Sequence, residues 1–152
     1  MRARDLARDY PSVTLSSDAL AAAQTLARGR LPVLLVTEDD GRPHSVLPAA
    51  GLISALVPSY VVEDPALSAV IDERHADVLG RALAGRPVRD CLPAGRPTLP
   101  VADADDTVVE VAALMARWHS PLVAVVERHG RVTRTLGVIT ATDLLDRLLE
   151  PR

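Results

Sequence analysis

Residues near the N-terminus of this chain recur with the same character about ninety positions later, and an internal repeat restricts the fold to two copies of one unit. Ser17 and Asp18 open a run containing Leu20, Ala23, Leu26 and Ala27, and Asp105 and Asp106 open one containing Val108, Val111, Leu114 and Met115. Each begins with helix-capping residues and continues at helical spacing. Pro32 then leads the apolar run Val33, Leu34, Leu35, Val36, as Pro121 leads Leu122, Val123, Ala124, Val125, Val126; both read as buried strands. Asp40, Gly41, Arg42 and His129, Gly130, Arg131 supply the turn into a further strand, since glycine tolerates the positive φ of a tight hairpin. Leu52, Ile53, Leu56 and Val57 match Leu144, Leu145, Leu148 and Leu149 on a closing helix.

Each unit is predicted to run strand, helix, strand, strand, helix, with a short leading strand near Val13 and Leu15 or near Leu99 and Val101. A unit of about sixty residues buries only about 60% of its chain surface, so two units packed face to face are expected. Residues 1–62 form the first repeat, 63–86 a connecting segment and 87–152 the second. In the connection Asp64 is the expected N-cap and Pro65 the first helical residue, with Leu67, Val70, Ile71, Val78 and Leu83 on an apolar face and a stop near Gly85.

Composition narrows the function. The chain is 48% apolar and 24% charged, with a net charge of −3, so no broad cationic surface offers itself to nucleic acid. All 17 cations are arginine, a compositional bias and not a motif. The lone Cys91 excludes an internal disulfide, and no signal-peptide pattern opens the chain, which points to the cytoplasm. Residues 45–62 lack charge, but Pro48, Gly51 and Pro58 divide them into a short strand, a short helix and an extended exit, unlike a membrane span. His44, His75 and His129 show no metal-ligand spacing, so no metal is expected. Cys91, followed by Leu92 and Pro93, reads as a packed residue and not a nucleophile, and no catalytic residue is assigned. Arg128, Arg131 and Arg134 read as a solvated hairpin face.

This order of elements, with the segment from Gly137 through Thr140 and Asp143 to Leu145, resembles the cystathionine-β-synthase (CBS) domain pair, or Bateman module. The resemblance implies an α+β fold of two repeats related by a pseudo-twofold axis, sheets packed together, with up to two clefts for adenosine compounds such as AMP, ADP, ATP or S-adenosylmethionine. It implies a regulatory module, with the nucleotide as a regulatory ligand and no resident cofactor. Association as a homodimer through the helices is also implied. The family signature of Gly, two apolar residues, Thr or Ser, two variable residues and Asp is complete in repeat 2 at Gly137, Thr140 and Asp143. In repeat 1 its positions hold Ser45, Pro48 and Gly51, so one site is expected to be degenerate.

The chemistry of these residues suits the implied ligand. An ionised Asp143 could accept hydrogen bonds from both ribose hydroxyls. The Thr140 hydroxyl and the open amides of a helix start favour phosphate, and Gly137 permits close backbone approach. By resemblance, Pro121 leads the strand at the cleft, and a basic residue two before the strand-leading proline faces phosphate, here Arg30 or His119, with Arg30 the better candidate because it is always charged. Backbone groups near Leu122 and apolar contacts from Val101 and Ile139 are implied around the adenine. Thr140 and Asp143 also have capping-box spacing, a purely structural alternative. Trp118 reads as a packing or dimer-contact residue. The competing function is a ligand-free dimerisation or partner-binding module with a vestigial pocket.

Overall fold

The computed structural model describes residues 1–70, 78–93 and 99–150. Its elements are helix α1 (Ala3–Leu6), strand β1 (Ser12–Thr14), α2 (Ala19–Gly29), β2 (Val33–Thr37), β3 (Pro43–Pro48), α3 (Ala49–Leu56) and α4 (Ser59–Glu63), then, after the connection, β4 (Val101–Asp103), α5 (Val108–Trp118), β5 (Leu122–His129), β6 (Val132–Thr140) and α6 (Ala141–Leu149). The fold is mixed α+β, with two three-stranded sheets in the orders β1-β2-β3 and β4-β5-β6. In the second, β4 runs parallel and β6 antiparallel to β5.

The duplication extends to individual hydrogen bonds. Asp18 caps α2 by accepting from the Ala21 amide, and Thr107 caps α5 by accepting from the Glu110 amide. The residue before each cap closes the preceding turn: Ser17 Oγ accepts from the Thr14 amide and Asp106 Oδ2 from the Asp103 amide. Ser17 and Asp18 therefore correspond to Asp106 and Thr107, one residue along from the Asp105 and Asp106 that the sequence pairing predicts. Both helices end with a non-glycine residue in the left-handed region, Arg30 and His119, each at φ 48°. The next amides, of Leu31 and Ser120, reach back to Leu26 and Met115 to close the helix end. At the closing helices, the Ala49 amide donates to the Pro32 carbonyl as Ala141 does to Pro121.

Two expectations need correction. Residues after Pro58 are not an extended exit: Pro58 is the N-cap of α4, a place where its missing amide costs nothing. The connection is not one α-helix where it is described, because Pro65–Val70 and Gly80–Leu83 are 3₁₀ turns. Asp64 does cap, its Oδ1 accepting from the Ala66 amide. Ile71 and His75 lie outside the described residues.

The chain divides into two compact units, one of Met1–Ser12, Leu35–Val46 and Arg96–Arg152, the other of Val13–Leu34 and Leu47–Gly95. In the first, Ala102, Val123, Val125 and Ile139 from the sheet pack with Val111 and Leu144 from α5 and α6, and Ala3 of α1 joins that core fully buried. The N-terminal segment is tied down there by main-chain bonds, Ala3 donating to Asp106, Arg4 to Ala104 and Arg8 to Val138. Arg4 also pairs with Asp105 at 2.8 Å. In the second unit, Asp18 holds the Gly85 amide at 2.8 Å as well as capping α2, and Leu83 and Val88 are buried. No helix of the described residues is long and apolar enough to cross a membrane.

Candidate functional site

Strand register decides which of the candidate residues share a surface. Val101 pairs with Ala124, Ala124 with Val138, and Leu122 with Thr140. Directly opposed residues share a sheet face, and residues two apart along a strand do as well. Val101, Leu122, Ala124, Val138 and Thr140 therefore lie on one face. The other face carries Ala102, Val123, Val125 and Ile139 into the core under α5 and α6. Ile139, expected beside an adenine, is instead fully buried on the helix side, and the residue that shares the Thr140 face is Val138. The alternation of a strand makes adjacent residues mutually exclusive here.

Thr140 ends β6 in extended conformation (φ −84°, ψ 157°) and is the N-cap of α6, its Oγ1 accepting from the Asp143 amide at 3.1 Å. That is half of a capping box. In the other half the acid would accept from the cap residue's own amide, and Asp143 does not close it. α5, in the same unit, closes both halves: the Thr107 amide donates to Glu110 Oε2 at 2.6 Å while Thr107 Oγ1 accepts from Glu110 at 3.2 Å. That backbone bond holds the Glu110 carboxyl below its ordinary range. Side-chain length is not the reason, since Asp5 at the same position of α1 does reach back, its Oδ2 accepting from the Arg2 amide at 2.8 Å. The Asp143 carboxylate thus stays half-buried with no hydrogen bond or ion pair among the described residues.

The remaining candidates fall into three groups. Pro121 and Leu122 start β5 beside Thr140, Pro121 exposed and Leu122 buried. His119 is exposed at the end of α5, two residues before Pro121. Arg30 holds the matching place in repeat 1 and belongs to the other compact unit. Gly137 sits beside a bulge between β5 and β6, and the backbone that approaches it is the protein's own. A Cβ there would lie 2.6 Å from the Arg8 carbonyl oxygen.

Sequence reasoning missed Ser120. Ser120 is a buried polar residue whose hydroxyl donates to the Leu122 carbonyl at 2.6 Å, fixing the entry to β5. Repeat 1 has Leu31 in that place, so comparing the repeats position by position would have flagged it. Two grooves in this unit lie elsewhere, one bordered by Met1, Val109 and Leu148, the other by Arg4, Asp105 and Glu127. Cys91 is buried, which pushes its thiol up and away from the thiolate that nucleophilic chemistry needs.

Comparison with known proteins accords with this geometry. The family model described as the CBS domain matches residues 88–150. None of the curated protein sequences compared with the chain matches it. Among solved structures, the chain is similar to a CBS domain-containing protein of unknown function from Kribbella flavida, with 47% identity over 99% of both chains and a TM-score of 0.89. It is also similar to a CBS domain pair/ACT domain protein from Thermotoga maritima, at 16% identity over 98% of this chain and 97% of that one, with a TM-score of 0.66. CBSX2, solved in complex with AMP, has 18% identity over 97% of this chain and 96% of its own, with a TM-score of 0.65. At the two lower identities the likeness is one of fold alone. With a relative near half-identical along the whole chain, and one CBS repeat following another in the same order of elements, this protein belongs to the CBS domain family as a tandem CBS pair.

Proposed function

We propose that the protein is a non-enzymatic regulatory module that binds an adenosine compound (AMP, ADP, ATP or a similar ligand) on the Thr140 face of repeat 2. The observation that carries this reading is the Asp143 carboxylate, half-buried at a helix start and not engaged in capping. A structural acid would have closed the box, as Glu110 does. A carboxylate held without a partner can accept from two ribose hydroxyls together, a charge-assisted pair. Val101, half-buried on the same face, offers apolar contact to a base beside the fully buried Leu122 and Val138, and His119 stands near the start of β5. The AMP complex of CBSX2, a protein of the same fold, supports the ligand class. Arg30 belongs to the other compact unit.

Titration with AMP, ADP, ATP and S-adenosylmethionine by calorimetry tests the reading. Binding near one ligand per chain is expected, because Pro48 and Gly51 give repeat 1 neither hydroxyl nor carboxylate. Two equal sites would overturn the assignment of repeat 1, and no binding of any adenosine compound would overturn the reading as a whole.

We place the module in the cytoplasm and read it as a homodimer. Leu145, Leu148 and Leu149 on α6, and Ile53 on α3, are at least half exposed, an unusual density of apolar side chains on closing helices. Light scattering at micromolar concentration should give twice the chain mass. The same exposed rows favour the second reading, a dimerisation or partner-binding module whose pocket is vestigial; it takes over if the dimer forms and no nucleotide binds.

A further inference from the structure

The N-terminal segment adds an edge to the sheet that carries the candidate site. Arg8 and Val138 exchange both main-chain hydrogen bonds, each 2.9 Å, as a hydrogen-bonded antiparallel pair next to β6. The seat depends on Gly137, whose missing side chain leaves room for the Arg8 backbone at a separation no Cβ tolerates. Helix α1 anchors the segment from the other side through fully buried Ala3 and the Arg4–Asp105 pair.

The register has a chemical consequence. Opposed residues of an antiparallel pair project to the same face, so the Arg8 side chain shares the face of Val138, and Thr140 lies on that face two residues along. Such diagonal neighbours are about 7–8 Å apart, within reach of a long side chain. Arg8 is exposed, and no ion pair or hydrogen bond holds its guanidinium among the described residues.

The helix start beside Thr140 does not meet an anion unaided. The Ala141 amide is committed to Pro121 and the Asp143 amide to Thr140, so two of the first-turn amides are already engaged. The nearby Asp143 carboxylate, which suits a ribose, repels a phosphate. A phosphorylated nucleoside on this face needs a cation, and a guanidinium matches phosphate geometry with two parallel donors.

We infer that Arg8, carried by the N-terminal segment and seated by Gly137, is the phosphate-recognising residue of this site and sets its preference for nucleotides over the nucleoside. This rests on the adenosine reading above, and it adds that the first residues of the chain are part of the repeat 2 site.

The test is affinity for adenosine and for AMP, measured by calorimetry on the full chain, on Arg8→Ala and on Gly137→Ala. Arg8→Ala keeps every main-chain bond of the segment and should fold like the parent. It should weaken AMP about ten- to hundredfold, the worth of a charge-assisted hydrogen bond, while leaving adenosine unchanged. Gly137→Ala unseats the segment and should lose the same preference for AMP over adenosine without any change at Asp143. If Arg8→Ala binds AMP like the parent while Asp143→Ala loses both ligands, the adenosine reading stands and the role of Arg8 is overturned. Equal weakening of adenosine and AMP by Arg8→Ala also overturns it, since the residue would then act on the site as a whole. A parent chain that binds neither ligand removes both readings together.

Discussion

The two repeats begin their closing helices differently. α3 starts after Pro48, which has no side-chain group to cap it, and carries Gly51 at its third position; α6 starts after Thr140, which caps it, and carries Asp143 there. Both helices nevertheless bury the same leucine, Leu52 at 3% and Leu144 at 4% exposure, and both leave the next residue, Ile53 and Leu145, more than half exposed. The same leucine is thus buried in both closing helices although the polar residues before it differ. Thr140 serves the fold as a cap, whereas the Asp143 carboxylate takes no part in it.

The largest expected effect separates site from scaffold within repeat 2. Asp143→Ala removes two charge-assisted hydrogen bonds worth roughly 1.5–3 kcal/mol each, so nucleotide affinity should fall about tenfold to a thousandfold or more. Because the carboxylate takes no part in the cap, thermal unfolding of the apo-protein should hardly move. A variant that melts several degrees lower and binds like the parent would make Asp143 a structural acid and erase the contrast with Gly51.

The two glycines at or near the signature positions should respond with opposite signs. Gly137→Ala forces a Cβ against the Arg8 backbone, which neither chain segment can relieve by a rotamer change, and should destabilise by about 1–3 kcal/mol. At Gly51 the nearest atoms to an added Cβ are 3.8 Å away, so Gly51→Ala meets ordinary contacts and should stabilise by about 0.5–1 kcal/mol through helix propensity. Urea midpoints of the two variants decide this, and a shared sign would mean that the N-terminal segment is not held at β6.

The smallest effect compares the two caps of repeat 2. Thr107→Ala and Thr140→Ala should each cost about 1 kcal/mol, the usual worth of an N-cap. Their acids should differ: Glu110→Ala lowers stability further, whereas Asp143→Ala does not. Equal losses at the two acids, measured by denaturant unfolding, would show that Asp143 closes the box in solution.

Much of this was legible in the residues. The duplication, the order of elements and the four apolar positions of each closing helix follow from periodicity, and Leu52 with Ile53 and Leu144 with Leu145 show the same pattern of one buried and one exposed neighbour. The match of caps was one residue out because Asp105, Asp106 and Thr107 are all capping residues, and only the hydrogen bonds choose among them. Ile139, expected near an adenine by resemblance alone, lies on the core face of the sheet, because the two-residue period of a strand puts Val138 and not Ile139 on the Thr140 face.

The sequence by itself determined the repeated unit, its apolar skeleton and the asymmetry between Pro48 with Gly51 and Thr140 with Asp143, because these depend on local periodicity and side-chain chemistry. Tertiary structure decided what a linear pattern does not contain. Whether an acid closes its own cap is set by where its side chain is placed, since Asp5 closes the bond to the Arg2 amide and Asp143 leaves the bond to Thr140 open. What approaches Gly137 depends on where the first eight residues of the chain return, and they return to β6, where only a residue without a Cβ leaves room for the Arg8 backbone.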